Sequence, residues 1–249
     1  MKAAVMEPNS RVAIILPTYC EDENIADIIH AIESLKLNST LLVVDDSSPD
    51  ETQNIVGELK EEYKNILLLK RDHKMGLGTA ITDGFRFLLS LPEPPEFIIT
   101  MDADFSHCPN DIPRLMKLAE KGSDLVIGSR YCTEGEVKGW NLTRLLISKV
   151  ANKLTGMLTK LALNDYTSGF RCYSKGYLTK ALPQLHSETY EIQIETLRQA
   201  KFQNSKISEI PIVFENRKKG KSKLTLTEIA GFFRYILKVL LEQLFKIEN

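Results

Sequence analysis

RVAIILPTYCEDENIADIIHAIESLKLNSTLLVVDD, Arg11 to Asp46, decides the fold. VAIIL and LLVV are short, rich in β-branched residues and apolar without alternation, as a parallel strand covered on both faces reads. Between them Ile25, Ile28, Ile29, Ile32 and Leu35 recur at helical spacing on one face. The same unit continues through ILLLK from Ile66, FIITMD from Phe97 and DLVIGS from Asp124, with Ile55, Val56, Leu59 and Tyr63 marking a second helical face. Strands alternating with amphipathic helices imply an α/β doubly wound, mostly parallel sheet with helices on both faces. Asp50 before one helix, and Asn110 or Asp111 with Pro113 before another, stand where N-terminal caps stand. LPEPPEF, from Leu91, carries three prolines and reads as a loop.

Beyond residue 130 the periodicity changes to an α+β character. A long helix is expected over about 142 to 161, an extended piece at GFRCYS, a helix near 190 to 201 and one strand at KISEIPIVFE. No repeat and no linker-like stretch divides the chain, so residues 1–249 read as one domain: a nucleotide-binding half at 11–130, a second half at 131–224 and a C-terminal amphipathic helix at 225–249. In that last segment Arg234, Lys238, Glu242 and Lys246 recur every four residues and leave a broad apolar arc. The arc either packs on the core or lies in a lipid interface or against a membrane subunit.

Composition narrows the function classes. The chain has 249 residues, 43% of them apolar, with 32 Lys plus Arg against 33 Asp plus Glu. A formal net charge of -1 gives no overall field for nucleic acid, so partners have to be read from sites. Cys20, Cys108, Cys132 and Cys172 contain no C-x-x-C pair and fit reduced thiols of a cytosolic protein. The N-terminus lacks a secretory pattern, and no run reaches the roughly 18 apolar residues of a membrane span. The chain is expected to be soluble or to lie on a membrane without crossing it.

The chemistry collects at strand ends, where open α/β sheets bind ligands. Asp45 and Asp46 close one strand, Asp102 and Asp104 another. Either pair alone reads as solvated turn chemistry, but two pairs at one sheet edge favour a shared hard cation, Mg²⁺ or Mn²⁺, that also holds a phosphate. Gly76-x-Gly78 lacks the third glycine of a dinucleotide fingerprint, because Ile81 stands there, and Glu215 occupies the first-glycine position of a phosphate loop ending at Gly220-Lys221-Ser222. The run ENRKKGKSK, with Arg217, Lys218, Lys219, Lys221 and Lys223, is either a solvated surface or a mobile anion clamp. Arg130 adds a cation after the fifth strand, and Arg144 and Ser148, four apart, share a helix face. Together these describe an acidic metal centre ringed by phosphate-binding cations.

At these residues the sequence resembles the family 2 glycosyltransferases, from about Arg11 to about Phe233, and within them the polyprenyl-phosphate branch to which the dolichol-phosphate mannose synthases belong. The resemblance rests on PTYCEDEN (Pro17–Asn24), VVDDSSPDET (Val43–Thr52), KMGLGTA (Lys74–Ala80), MDADFSHCP (Met101–Pro109), IGSRY (Ile127–Tyr131), GWNLTRLLISKVANKLT (Gly139–Thr155), DYTSGFRCY (Asp165–Tyr173) and EIPIVFENRKKGKSKL (Glu209–Leu224). It implies a GT-A type, Rossmann-like sheet. It implies that Pro17, Tyr19, Glu21, Val44 and Asp46 line the nucleotide site, and that Asp102, Ala103 and Asp104 form a D-x-D element with Asp102 and Asp104 on the metal. Arg130, Arg217 and Lys223 would meet the donor phosphates and the incoming acceptor, so that with Asp104 they form the catalytic set, and Arg144 and Ser148 would receive the acceptor with Arg130. Cys20 departs from the usual Asn after Tyr19, and Ser106 stands where some relatives place a metal-binding Gln.

The implied reaction is inverting transfer of mannose from GDP-mannose to dolichyl or another polyprenyl phosphate, on the cytoplasmic face of a membrane, peripheral and with a small anchoring subunit as a further partner. That membrane is the endoplasmic reticulum in a eukaryote and the plasma membrane in a prokaryote. A phosphomonoester, with a second pKa of about 6, is already anionic at neutral pH and needs no general base. The alternatives are a UDP-sugar donor such as UDP-glucose or a UDP-N-acetylhexosamine on the same lipid, a nucleotidyltransferase, and a non-catalytic receiver-type or phosphate-binding module.

Overall fold

The computed structural model describes residues 10–217, 219–220 and 226–245, with side chains from 231 to 241 in the last helix. The chain runs β1 (Val12–Thr18), α1 (Ile25–Glu33), β2 (Thr40–Asp45), α2 (Thr52–Glu62), β3 (Ile66–Lys70), α3 (Leu77–Leu89), β4 (Phe97–Thr100), α4 (Ile112–Glu120) and β5 (Leu125–Ser129). It continues β6 (Glu136–Lys138), α5 (Leu142–Thr159), β7 (Arg171–Ser174), α6 (Lys175–Ala181), α7 (Ile192–Phe202), β8 (Ile207–Pro211), β9 (Val213–Glu215) and α8 (Leu226–Phe245). One seven-stranded sheet has the order β3-β2-β1-β4-β7-β5-β8, and β6 pairs with β9 in a separate ribbon. Within the large sheet β7 alone is antiparallel, to both β4 and β5.

The strands named from their apolar runs are β1 to β5, and their side chains divide as the pleat requires. Ile14, Leu16, Leu41 and Val43 face α1, α2 and α4, while Ala13, Ile15, Leu42 and Val44 face α3, α6 and α7. Covering both faces removes the polar side of each strand, hence the absence of alternation. Ile25, Ile28, Ile29 and Ile32 are all buried, as their spacing predicts. One expected strand, KISEIPIVFE, is broken at Ile212. β8 extends the large sheet beside β5, and β9 leaves it to pair with β6, a short strand that the periodicity did not signal.

Two expected caps differ from the structure. The Asp50 carboxylate accepts from Thr52 N at 3.1 Å and Thr52 Oγ1 at 2.6 Å, so it caps α2 from one residue further out. At α4 neither Asn110 nor Asp111 caps: both lie in a 3₁₀ turn (Pro109–Asp111), and the Asp111 side chain pairs with Arg114 instead.

Sheet order places the site. The chain leaves β1 toward β2 on one side and returns at β4 on the other, so the crevice at the carboxyl ends of β1 and β4 is the switch point. Met101 N donates to Ile15 O across it at 3.2 Å, which delivers Asp102 to the mouth of the crevice.

Candidate active site

The crevice opens into a cavity of about 490 Å³ between the sheet edge, the β6–β9 ribbon, α5 and α8. Of the residues singled out in the sequence, Pro17, Asp102, Asp104, Arg130, Arg144, Ser148 and Arg217 line it together. Tyr19, Glu21, Val44, Asp46 and Ala103 lie elsewhere around the sheet edge, and Lys223 falls outside the described residues, as do Lys218 and Lys221.

The acids form the floor. Asp104 is buried, its Oδ1 accepting from Ser106 N at 3.0 Å and Ser106 Oγ at 2.5 Å, while its Oδ2 pairs with Arg217 Nη2 at 2.7 Å. Asp102 is set differently: its side chain is 42% exposed to the cavity, and its backbone N–H donates to His107 Nδ1 at 3.1 Å. An accepting Nδ1 makes His107 a neutral imidazole with its proton on Nε2. Burial pushes the His107 pKa below its ordinary value against the pull of Asp102 and Asp104, so the 3.7 Å approach to Asp102 Oδ2 is not an ion pair. The Asp102 carboxyl titrates above its usual range. Desolvation is the first cause; Asp104 adds to it, and His107, Arg217 and Arg130 oppose it.

Two acids at the switch point give an all-oxygen donor set, which suits Mg²⁺ or Mn²⁺. Among the described residues no cluster of three or more His, Cys, Asp or Glu side chains is arranged to hold an ion. Ser106, in place of Gln, donates to Asp104 through both N and Oγ.

Three arginines surround the acids in unequal states. Arg130, 7% exposed, is locked to Asp165 through Nε–Oδ2 at 2.6 Å and Nη2–Oδ1 at 2.8 Å, with a further bond from Nη2 to Thr167 Oγ1 at 2.7 Å. Burial opposes both charges of this pair. The attraction outweighs it, raising the Arg130 pKa and holding Asp165 below the usual carboxylate range. Arg217 bridges Asp104 and, at 3.5 Å, Glu21, which ties the β9 loop to the N-terminus of α1. Lys219 reinforces that tie on Glu23 O and Asp27. Arg144 is the least satisfied: it donates to Asn216 Oδ1 at 3.3 Å, and burial first, then Arg217, lowers its pKa. One turn further along α5, Ser148 Oγ meets Tyr131 OH at 2.8 Å at the same cavity.

On the other side of the crevice the structure gives several residues different surroundings from those the resemblance implies. Both Asp46 oxygens hold the loop before α3, accepting from Met75 N and Gly76 N at 2.8 Å each, and Oδ1 also pairs with buried Arg71 at 2.9 Å. Asp45 is likewise engaged, by Thr18, Ser48 and Gln53, so both acids of this pair are held by donors of their own chain. Val44 is a core residue beside Gly84 of α3. Tyr19 lies under Lys74, whose Nζ is 4.0 Å from the ring centroid. Cys20 takes φ 54°, a left-handed conformation that Asn adopts more readily, and its N–H donates to Ser48 Oγ at 2.9 Å. The glycines of KMGLG serve packing: a Cβ on Gly78 would stand 2.5 Å from Ser187 O.

Sequence reasoning assigned no role to Asp165, His107, Trp140, Tyr190, Gln193 or Phe214. Asp165, His107, Trp140 and Phe214 sat inside quoted motifs, but the partners that give them a place, Arg130 for Asp165 and Phe214 for both His107 and Trp140, come from other motifs of the chain. Only the fold brings them together.

An Asp-x-Asp at the switch point of a doubly wound sheet, with arginines facing it across a cavity, defines a glycosyltransferase of the GT-A kind. Known structures agree in fold. The glucosyl-3-phosphoglycerate synthase of Mycobacterium tuberculosis, in complex with Mn²⁺, UDP and glucosyl-3-phosphoglycerate, superposes with a TM-score of 0.66 over 93% of this chain and 78% of that one, at 18% identity. The family model "Glycosyl transferase family 2" matches residues 13–182. The chain is 35% identical to the polyprenol monophosphomannose synthase of Mycolicibacterium smegmatis, over 91% of this chain and 85% of that protein. It is 34% identical to a dolichol-phosphate mannosyltransferase of Pyrococcus furiosus, over 92% of this chain but 64% of the relative. The chain belongs to glycosyl transferase family 2.

Proposed function

We propose that the protein transfers mannose from GDP-mannose to dolichyl or another polyprenyl phosphate, with inversion at the anomeric carbon. The observation that carries this reading is the mixed lining of one cavity. Asp102, Asp104 and three arginines line it together with Leu77, Ile81, Ile147, Ala151, Phe232 and Phe233, which suits an acceptor that is a phosphate on a hydrocarbon chain. The names of the relatives agree with it.

In this reading an acceptor phosphate oxygen forms the bond to C1 of the sugar, and the bond from C1 to the β-phosphate breaks with its electrons on the departing nucleoside diphosphate. No proton moves, because the attacking phosphate is already anionic, so no side chain is an indispensable base. Asp102 and Asp104 would hold Mg²⁺ or Mn²⁺, which when bound offsets charge on the leaving phosphate. Arg217 leaves Asp104 for the donor phosphates, and Lys223 is assigned with it; Arg130, Arg144 and Ser148 receive the acceptor. Pro17, Tyr19 and Glu21 remain the assigned nucleoside contacts, while Asp46 and Val44 act by shaping the loop and strand behind them.

The membrane end of the reading rests on α5 and α8. Leu142, Leu146 and Met157 of α5 and Leu237 of α8 are each more than half exposed, while Phe232, Ile236 and Val239 of α8 pack against α5 and α7. The last helix thus both packs on the protein and presents apolar side chains outward. No helix among the described residues is long and apolar enough to cross a membrane. We assign this face to the lipid surface from which the acceptor is drawn, with a small anchoring subunit as a further partner there and the cytoplasmic side as its location.

The test is transfer from GDP-mannose to a short polyprenyl phosphate with Mg²⁺ or Mn²⁺, using UDP-glucose and Asp104→Ala as controls. Product from GDP-mannose alone, lost in the variant, is the expected result. Product from UDP-glucose instead overturns the donor assignment and keeps the reaction class.

A further inference from the structure

Trp140 occupies a junction in the cavity that the reading above leaves without a role. Gly139, at φ +78°, turns the chain between β6 and α5, its carbonyl accepting from Asn216 Nδ2 at 3.4 Å, and Asn141 caps α5 by accepting from Arg144 N at 2.8 Å. The indole lies between these two anchors and lines the cavity. The guanidinium carbons of Arg144 and Arg130 are 4.3 and 5.5 Å from its ring centroid, so one π-system serves two like charges. Its edge meets Phe214 at 5.3 Å; Phe214 meets His107 at 5.3 Å; and His107 accepts the Asp102 N–H. The ring thereby connects the acceptor cations to the backbone of the Asp-x-Asp.

Ring stacking alone would be met by phenylalanine. What tryptophan adds is an N–H, and Trp140 Nε1 is buried with no acceptor among the described residues. Arg144 Nε, on the group stacked against it, is a second buried donor without a partner. Buried indole N–H groups normally find an acceptor, and leaving one unmade is costly. Two orphaned donors, on stacked side chains of residues that line one cavity with Arg130, call for the same anion.

We infer that Trp140 is a further acceptor-binding residue: its ring holds Arg130 and Arg144 in register, and its Nε1–H donates to an oxygen of the acceptor phosphate beside Arg144 Nε–H. The inference rests on the proposed transfer to a polyprenyl phosphate and adds the donor that sets the acceptor's position.

Trp140 is the chain's single tryptophan, so the emission of the unmodified protein reports on this site alone. The full chain with Mg²⁺ is titrated with farnesyl phosphate and, separately, with inorganic phosphate, and KM for farnesyl phosphate and for GDP-mannose is measured in the wild type, Trp140→Phe and Arg144→Ala. The expected result is a saturable emission change with farnesyl phosphate. Trp140→Phe, which keeps a ring and removes the N–H, should raise the acceptor KM about 10-fold or more, the scale of a hydrogen bond to a charged group, with the GDP-mannose KM within about twofold. An acceptor KM within about twofold of wild type in Trp140→Phe, beside a clear rise in Arg144→Ala, overturns the inference and leaves the transfer reaction standing. So does an emission spectrum unmoved at acceptor concentrations that saturate turnover, which decides the matter alone if the variant fails to fold. No transfer to farnesyl phosphate from any sugar nucleotide by the wild type overturns the parent reading and this inference with it.

Discussion

Asp165 and Arg130 show how a charge is kept ready at this site. Arg130 spends Nε and Nη2 on Asp165, whose carboxylate also accepts from the Arg130, Thr167 and Ser168 backbone N–H groups. Removing one partner of such a buried pair strands the other, so Asp165→Asn is expected to destabilise the fold by about 3 kcal/mol in urea unfolding. The pH dependence has a fixed sign. Arg130 holds the folded Asp165 pKa below its ordinary 3.8, so the pair's contribution is fully present above that value and lost as pH falls below it. The acid limb of the wild type's stability profile should therefore flatten in Asp165→Asn. His107 acts through the Asp102 N–H: His107→Ala removes its acceptor and the stack on Phe170, and should weaken Mn²⁺ binding about tenfold by isothermal titration, with Mn²⁺ serving as the probe. Asp102 and Asp104 were legible because a D-x-D after a buried run is a local pattern, whereas Asp165 and His107 matter through what they touch.

Elements also meet by close approach of their backbones. The start of α3 lies directly on the segment 187–189, where Gly78 N donates to Glu188 O at 2.9 Å and a Cβ on Gly78 would stand 2.5 and 2.6 Å from the carbonyl oxygens of Ser187 and Thr189. Neither neighbour is the end of a flexible side chain, so Gly78→Ala should cost about 1–3 kcal/mol in thermal unfolding, by overpacking. The sequence reading declined Gly76-x-Gly78 as a dinucleotide fingerprint and held no sign of this contact, because the contacted carbonyls lie more than a hundred residues away. The same holds for β6 and β9. A three-residue strand carries too few side chains for a period, and its existence depends on finding its partner. The long helix α5 and the parallel strands were readable, since each buries a repeating pattern within its own length.

At the scale of the molecule, one sheet carries strands from both halves of the chain, and the site forms where they meet. β1 and β4 deliver the acids, β5 delivers Arg130, and β8 leads through Ile212 into β9 and on to Arg217. The outward apolar residues are a property of the whole surface: α5 and α8 pack through Ala151, Leu158, Phe232, Ile236 and Val239 and together expose a second set. Leu142 and Leu146 are 84% and 64% exposed, so replacing both by Ser should move stability by no more than about 0.5 kcal/mol each. Affinity for neutral lipid vesicles should fall at least about tenfold in a sedimentation assay, since each leucine buried in lipid is worth about 1.5–3 kcal/mol. Unchanged vesicle binding would remove α5 from the membrane face.

From the sequence by itself follow the doubly wound sheet, its first five strands, the long α5 and the acids at the strand ends, because hydrophobic periodicity and a D-x-D are written in neighbouring residues. Spacing alone set Asp45 and Asp46 beside Asp102 and Asp104 as two like pairs, and the resemblance put only Asp102 and Asp104 on a metal. The tertiary structure shows what each pair touches. The first pair is saturated by Thr18, Ser48, Gln53, Arg71 and the backbone of Met75 and Gly76, while the second opens on the cavity beside Arg217. Whether a carboxylate binds its own protein or a ligand depends on which donors the rest of the chain brings within about 3 Å of it, and that distance is set by packing.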